Sequence, residues 1–168
     1  MHTLVATSSL GLLALAAMAN PVAAQSFDEN KQQCINDANK FSFDLQIAGC
    51  TGLIRSGQLS GKGLASAYYI RGNTYLANEK YPAAIADYDE AIRLNPQFAD
   101  ALTNRGFAYY SERDYAHAIA DYDQAISLNP QMAKAYLNRG FAEKALGRVS
   151  ESRADVAKAH AIDPNVGQ

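Results

Sequence analysis

Apolar side chains at Ile119, Tyr122, Ala125 and Ile126 recur in steps of three, three and one, which sets them on one face of a helix running from Ala116 to Leu128. Asn129-Pro130 stops that helix, because proline has no N–H to donate and disfavours helical geometry in the residue before it. A preceding helix is expected from Ala99 to Ser111, followed by a turn at Glu112-Arg113-Asp114. Gly106 lies inside this first helix, where the missing side chain lets a neighbouring helix come close. The pattern therefore describes a pair of helices joined by a short turn.

The pair recurs along the chain. Pro96, Pro130 and Pro164 are 34 residues apart, and the same interval separates Gly72, Gly106 and Gly140. Arg71, Arg105 and Arg139 keep this interval, as do Asp87, Asp121 and Asp155. A 34-residue period made of two helices marks a helix-turn-helix repeat. Three units are expected, at 65–98, 99–132 and 133–168. In the first, Pro82 falls in the opening turn of the second helix, where its missing N–H costs nothing. A degenerate unit at 25–64 precedes them, since Gln46-Ile47-Ala48 parallels Ala84-Ile85-Ala86 and Leu53-Ile54-Arg55 parallels Ala91-Ile92-Arg93. Its helices are expected near Phe27–Ala38 and Phe43–Ser56, with the glycine-rich stretch from Ser56 to Gly63 as the loop to the next unit.

These units resemble tetratricopeptide (TPR) repeats. The family's small positions correspond to Gly72, Ala84 and Ala91, to Gly106, Ala118 and Ala125, and to Gly140, Ser152 and Ala159. Its aromatic positions match Tyr68, Tyr75, Tyr88, Tyr109 and Tyr122, whereas Glu143 and Val156 replace aromatics in the last unit. The resemblance implies an all-α, right-handed superhelical solenoid. It also implies that the first helix of each unit lines a concave face on which extended peptides bind.

Carried onto this chain, that face comprises Ser66, Tyr69, Asn73 and Leu76; Asp100, Thr103, Asn104, Phe107 and Tyr110; and Lys134, Leu137, Asn138, Phe141 and Lys144. Phe107 and Phe141 are candidates to anchor apolar ligand side chains; the alternative is that they pack between adjacent first helices. Asn73 and Asn104 can each donate to and accept from a peptide backbone. Some TPR domains hold a carboxylate with a clamp of Lys, Asn, Asn, Lys and Arg. Asn73, Asn104 and Lys134 match three of its positions, but Tyr69 and Asn138 stand where Lys and Arg would be, so the resemblance implies a weakened clamp or none.

Residues 1–24 contain no Lys, Arg, Asp or Glu, and Leu10 to Ala19 is an apolar run. Asn20-Pro21 breaks the run, and Val22-Ala23-Ala24 offers small residues to a signal peptidase, with Gln25 as the expected new N-terminus. The run is shorter than the ~20 residues that span a bilayer, so a cleaved signal peptide is expected rather than a stable membrane anchor. Export to a periplasmic or secreted location follows, and disulfides persist there. Cys34 and Cys50 lie on opposite sides of the turn expected near residue 42, which brings them to similar heights on antiparallel helices. A structural disulfide is expected. A redox pair or a zinc site is the alternative, but no CxxC is present and two cysteines make a poor zinc shell.

Net charge is -2 and the chain has no basic excess, which argues against nucleic-acid binding. Catalytic material is sparse. Beyond His2 the chain has only His117 and His160, and no HExxH, GxSxG or phosphate-cradling loop occurs. No cofactor and no metal are expected. Asp87-Tyr88-Asp89 and Asp121-Tyr122-Asp123 resemble metal motifs, but residues two apart on a helix point away from each other. The repeated arginines suggest either a basic ladder for an acidic ligand or ion pairs with the repeated aspartates; the matched period favours ion pairs of the weak surface kind. On the last helix, Arg153 and His160 replace isoleucines of earlier units, a polar face suited to capping the stack. A monomer is expected, with room for a weak dimer through Val156 and Ile162. The expected function is a non-enzymatic scaffold for a protein or peptide partner in the cell envelope; a structural subunit docking through its convex face or ends is the alternative.

Overall fold

The computed structural model describes residues 25–36 and 40–168 of the chain; the expected signal peptide at 1–24 lies outside them. Among the described residues there are eight helices and no strand: α1 (Phe27–Ile35), α2 (Phe43–Arg55), α3 (Gly61–Ala77), α4 (Tyr81–Leu94), α5 (Ala99–Ser111), α6 (Tyr115–Leu128), α7 (Ala133–Ala145) and α8 (Val149–Ile162). Each packs mainly on its neighbours in sequence, so the fold is an all-α repeat solenoid whose contacts stay local.

Local chemistry sets the helix ends. Ser26 opens α1 with a capping box: its hydroxyl accepts from the Glu29 N–H, and the Glu29 carboxylate accepts from the Ser26 N–H at 2.8 Å. The helix stops at Ile35, short of the expected Ala38, because Asn36 turns left-handed and closes the next turn. Its side chain accepts from Phe41 N–H at 2.8 Å and donates to the Phe41 carbonyl at 3.1 Å. Likewise, the loop after α2 is shorter than the glycine content suggests. Helix α3 begins at Gly61, so Gly63 is helical. The left-handed turn is made by Gly57 and Gly61, at φ 69° and 50°.

Within each unit the two helices approach at a glycine. A Cβ on Gly72 would lie 2.8 Å from Tyr88 Cε1, and one on Gly106 would lie 2.7 Å from Tyr122 Cε1. The two tyrosine rings use that space and are fully buried. In the last unit Val156 replaces the tyrosine and packs beside Gly140.

A second repeated feature lies where units join. Arg71, Arg105 and Arg139 each make a two-pronged pair with Asp87, Asp121 and Asp155 respectively. Arg105 also reaches Asp89 of the preceding unit, and Arg139 reaches Asp123. These are not the weak surface pairs expected from sequence. The Asp87 and Asp121 side chains are only 6% and 7% exposed. Burial pushes both carboxyls up, against the pull of the guanidinium on each, and the aspartates in turn hold the arginines firmly charged. The two aspartates of each Asp-Tyr-Asp segment thus serve different arginines in joining units.

Cys34 and Cys50 form a disulfide between α1 and α2. Both are buried, with Leu53 beside them and Phe27, Leu59 and Ile70 packed around. At the other end, Arg153 and His160 are exposed on α8, while Ser152, Asp155 and Ala159 face inward. No helix among the described residues is long and apolar enough to cross a membrane.

Candidate functional site

Helices α3, α5 and α7 are the first helices of successive units, and polar side chains link them in a line. The Tyr88 hydroxyl donates to Asn73 Oδ1 at 2.8 Å. Asn104 Nδ2 donates to the same oxygen at 2.9 Å and to the Tyr69 hydroxyl at 3.2 Å. Lys134 Nζ donates to Asn104 Oδ1 at 3.2 Å. Burial pushes the Tyr88 phenol far up, so it remains a protonated donor. Tyr69 is held from below by Phe98, with ring centres 4.6 Å apart. The three residues that match the carboxylate clamp are therefore one connected group. Lys134 is exposed and uses one of its three donors in this line, leaving two to offer an anionic or carbonyl oxygen.

One repeat further on, the line breaks. Phe107 occupies the place of Asn73, and a phenyl ring cannot accept as an amide does. Correspondingly, Tyr122 OH and Asn138 Nδ2 are buried without a hydrogen-bond partner among the described residues. These two groups are the repeat equivalents of Tyr88 OH and Asn104 Nδ2, which both meet Asn73 Oδ1 in the preceding unit. An acceptor is missing where the pattern calls for one.

Aromatic side chains flank this break. Phe107 is 40% exposed and Phe141 is 45% exposed, so neither is packed away between first helices. Phe107 stacks at 6.5 Å on Tyr110, which in turn meets Tyr115 at 5.4 Å. Lys144 lies exposed on the same helix as Phe141, and Asp100 and Ser66 are exposed on α5 and α3.

Two of the expected face residues are covered. Thr103 is only 2% exposed; its hydroxyl donates to the Ala99 carbonyl at 2.9 Å and lies 3.0 Å from Met132 Sδ, so it serves the α5–α7 joint. Leu137 is 7% exposed because the chain after α8 folds back over it: a Cβ on Gly167 would come within 2.9 Å of Leu137 Cδ2. Leu76 and Tyr69 are half-buried against the first unit's core and offer only an edge.

The sequence reading missed a hollow at the N-terminal end, lined by Phe27, Lys31, Ile35, Leu53, Leu59 and Ile70. The steps of four from Phe27 through Lys31 to Ile35 along α1 were the available signal. The repeat interval places Tyr88 and Tyr122 alike and does not carry where their hydroxyls bond.

Among the described residues no group of three or more His, Cys, Asp or Glu side chains could hold a metal ion. His117 Nδ1 lies 2.6 Å from Asp114 Oδ2 at the start of α6, an exposed pair that caps a helix.

Two family models match the chain, one described as TPR repeat over residues 72–112 and one as Tetratricopeptide repeat over residues 99–132. No curated protein matches it. Among solved structures, the first TPR of Spaghetti (RPAP3) bound to the HSP90 peptide SRMEEVD is 31% identical, with a TM-score of 0.62; the match covers 66% of this chain and 88% of that one. The first TPR domain of the human RPAP3 protein is 32% identical at a TM-score of 0.62, covering 64% and 84%. The MamA protein is 26% identical at a TM-score of 0.72, covering 83% and 74%.

Proposed function

The chain belongs to the tetratricopeptide-repeat family, and from that premise we propose that it is an exported, non-enzymatic scaffold that binds an extended peptide segment of a partner protein. The bound segment lies along the concave face lined by α3, α5 and α7, in the cell envelope or outside it. The observation that carries this reading is the Asn73–Asn104–Lys134 line, which ends on an exposed ammonium and shares helices α5 and α7 with the exposed Phe107 and Phe141. Amides and an ammonium suit the carbonyl and carboxylate oxygens of a peptide, and the aromatic faces suit its apolar side chains. The likeness to a TPR domain bound to a peptide supports a peptide as the ligand class. With Tyr69 and Asn138 in place of two cations, the site favours backbone oxygens over a densely charged terminus. The buried Cys34–Cys50 disulfide and the uncharged apolar leader support export.

A second reading rests on the C-terminal end. Leu146 and Val149 are 43% and 50% exposed there, and Val149 lines a shallow hollow with Phe141, which favours a subunit that docks end-on in an envelope assembly.

A crosslinking pull-down from the native envelope fraction separates the two. Wild type is compared with a Phe107→Ala, Asn104→Ala, Lys134→Ala variant whose helicity is confirmed by circular dichroism. Loss of a specific partner in the variant supports the concave-face scaffold; an unchanged set of partners moves the interface to the end.

A further inference from the structure

The hollow at the N-terminal end has a volume of about 320 Å³, at the lower edge of the range for small-ligand pockets. Phe27 and Ile35 of α1, Leu53 of α2, Leu59 of the connection and Ile70 of α3 make it apolar. The disulfide-bonded Cys34 forms part of its wall, with Leu53 buried beside it. Lys31 is exposed at the rim and is the one charged side chain among the lining residues.

Two relationships fix what fits here. The first is continuity with the first-helix face. Ser66 and Ile70 line the hollow, and with Asn73 they follow one another in steps of four and three along α3, on a single helical face. At a rise of ~1.5 Å per residue, Ser66 lies about 10 Å from Asn73 along the helix axis. An extended chain covers that in about three residues. The second is charge. An apolar cavity with an ammonium at its mouth suits an apolar side chain that has a carboxylate next to it.

We propose that the hollow is a specificity pocket for the bound peptide: it takes one aromatic or branched aliphatic side chain, with an acidic group of the same peptide on Lys31. The pocket is built by the disulfide-closed hairpin α1–α2, and it rests on the reading of α3, α5 and α7 as the peptide-binding face. It adds to that reading a sequence preference, apolar beside acidic, about three residues from the segment held by Asn73 and Asn104.

The test uses random heptapeptides displayed on phage and selected on the oxidised protein. The selected sequence is then made synthetically and titrated calorimetrically against wild type and three variants. Ile35→Glu and Lys31→Glu change exposed residues at the pocket mouth and leave the fold and disulfide intact; Asn104→Ala changes the central face. The expected result is a selected apolar–acidic pair, with binding about tenfold weaker in each pocket variant. Replacing the peptide's apolar anchor by Ala weakens binding to wild type but adds no further loss in Ile35→Glu. Peptides that lose affinity in Asn104→Ala but bind both pocket variants like wild type overturn the pocket and leave the peptide-binding face standing. Failure to select any peptide overturns both. Lauric acid that binds wild type and not Ile35→Glu, with peptide binding unaffected by that change, assigns the pocket to a fatty acid instead. A dimer in sedimentation that Ile35→Glu dissociates assigns it to a second copy.

Discussion

Tyr88 donates its hydroxyl to Asn73 Oδ1 across 2.8 Å, and this bond ties the buried second-helix ring of one unit to its exposed first-helix face. The equivalent hydroxyl of Tyr122 has no partner among the described residues, because Phe107 stands where Asn73 does one unit earlier. The two tyrosines therefore respond oppositely to the same change. Tyr88→Phe leaves Asn73 short of a donor and costs about 1 kcal/mol in urea denaturation. Tyr122→Phe removes a buried orphan at almost constant shape and is neutral or mildly stabilising.

The Arg105–Asp121 pair holds α5 to α6, and Asp121 is 7% exposed. Asp121→Asn removes the buried one of the two carboxylates that Arg105 faces, leaves the exposed Asp89, and costs about 2 kcal/mol. Arg93→Ala, which removes an exposed pair with Glu90, changes stability by less than about 0.5 kcal/mol. Denaturant midpoints measured under identical conditions check the contrast.

Much of this was legible from spacing alone. The 34-residue period located α5 to the residue and α6 to within one, because Pro96 and Pro130 punctuate helices in any context. The pairing of Arg105 with Asp121 was legible for the same reason. Its strength was not, since depth of burial depends on how units stack. The face residues fared less evenly. Asn73, Asn104 and Lys134 are brought together, but Thr103 and Leu137 occupy the right register and are covered, one by Met132 and the other by the chain near Gly167. Helical periodicity identifies a face; it does not say which segment folds across it. The connection at 56–63 misled because glycine is read as loop, whereas Gly63 lies in α3 with only Leu59 near it.

That difference between glycines is measurable. Gly106→Ala places a methyl 2.7 Å from Tyr122 Cε1 and destabilises by about 1–3 kcal/mol. Gly63→Ala meets nothing closer than 3.8 Å inside a helix and stabilises by roughly 0.5–1 kcal/mol. Thermal melts of the two variants should move in opposite directions from wild type.

Cutting the Cys34–Cys50 bridge by a double Ala substitution costs about 3 kcal/mol in the chain-entropy account. Contacts in the solenoid are local, so the loss stays local. Hydrogen exchange should rise throughout α1 and α2 and remain unchanged from α5 to α8.

Asp114 caps α6 and accepts from both the ring and the backbone N–H of His117, which holds its carboxyl below the usual carboxylate range. A folded-state value below the unfolded one adds stability above the usual carboxylate pKa, and that stability is lost as pH falls through the depressed value. NMR titration of the Asp114 carboxyl carbon should show a midpoint below that of a free aspartate, and His117→Ala should raise it.

The central claim is that partners bind on the face of α3, α5 and α7. The most direct measurement places a photo-crosslinking amino acid, one position per variant, at Phe107, at Phe141 or at Ala120, an exposed position on α6. Each variant is irradiated in the native envelope fraction. The account predicts the same discrete adduct from positions 107 and 141 and none from position 120. An adduct from position 120 alone, or equal adducts from all three, contradicts it.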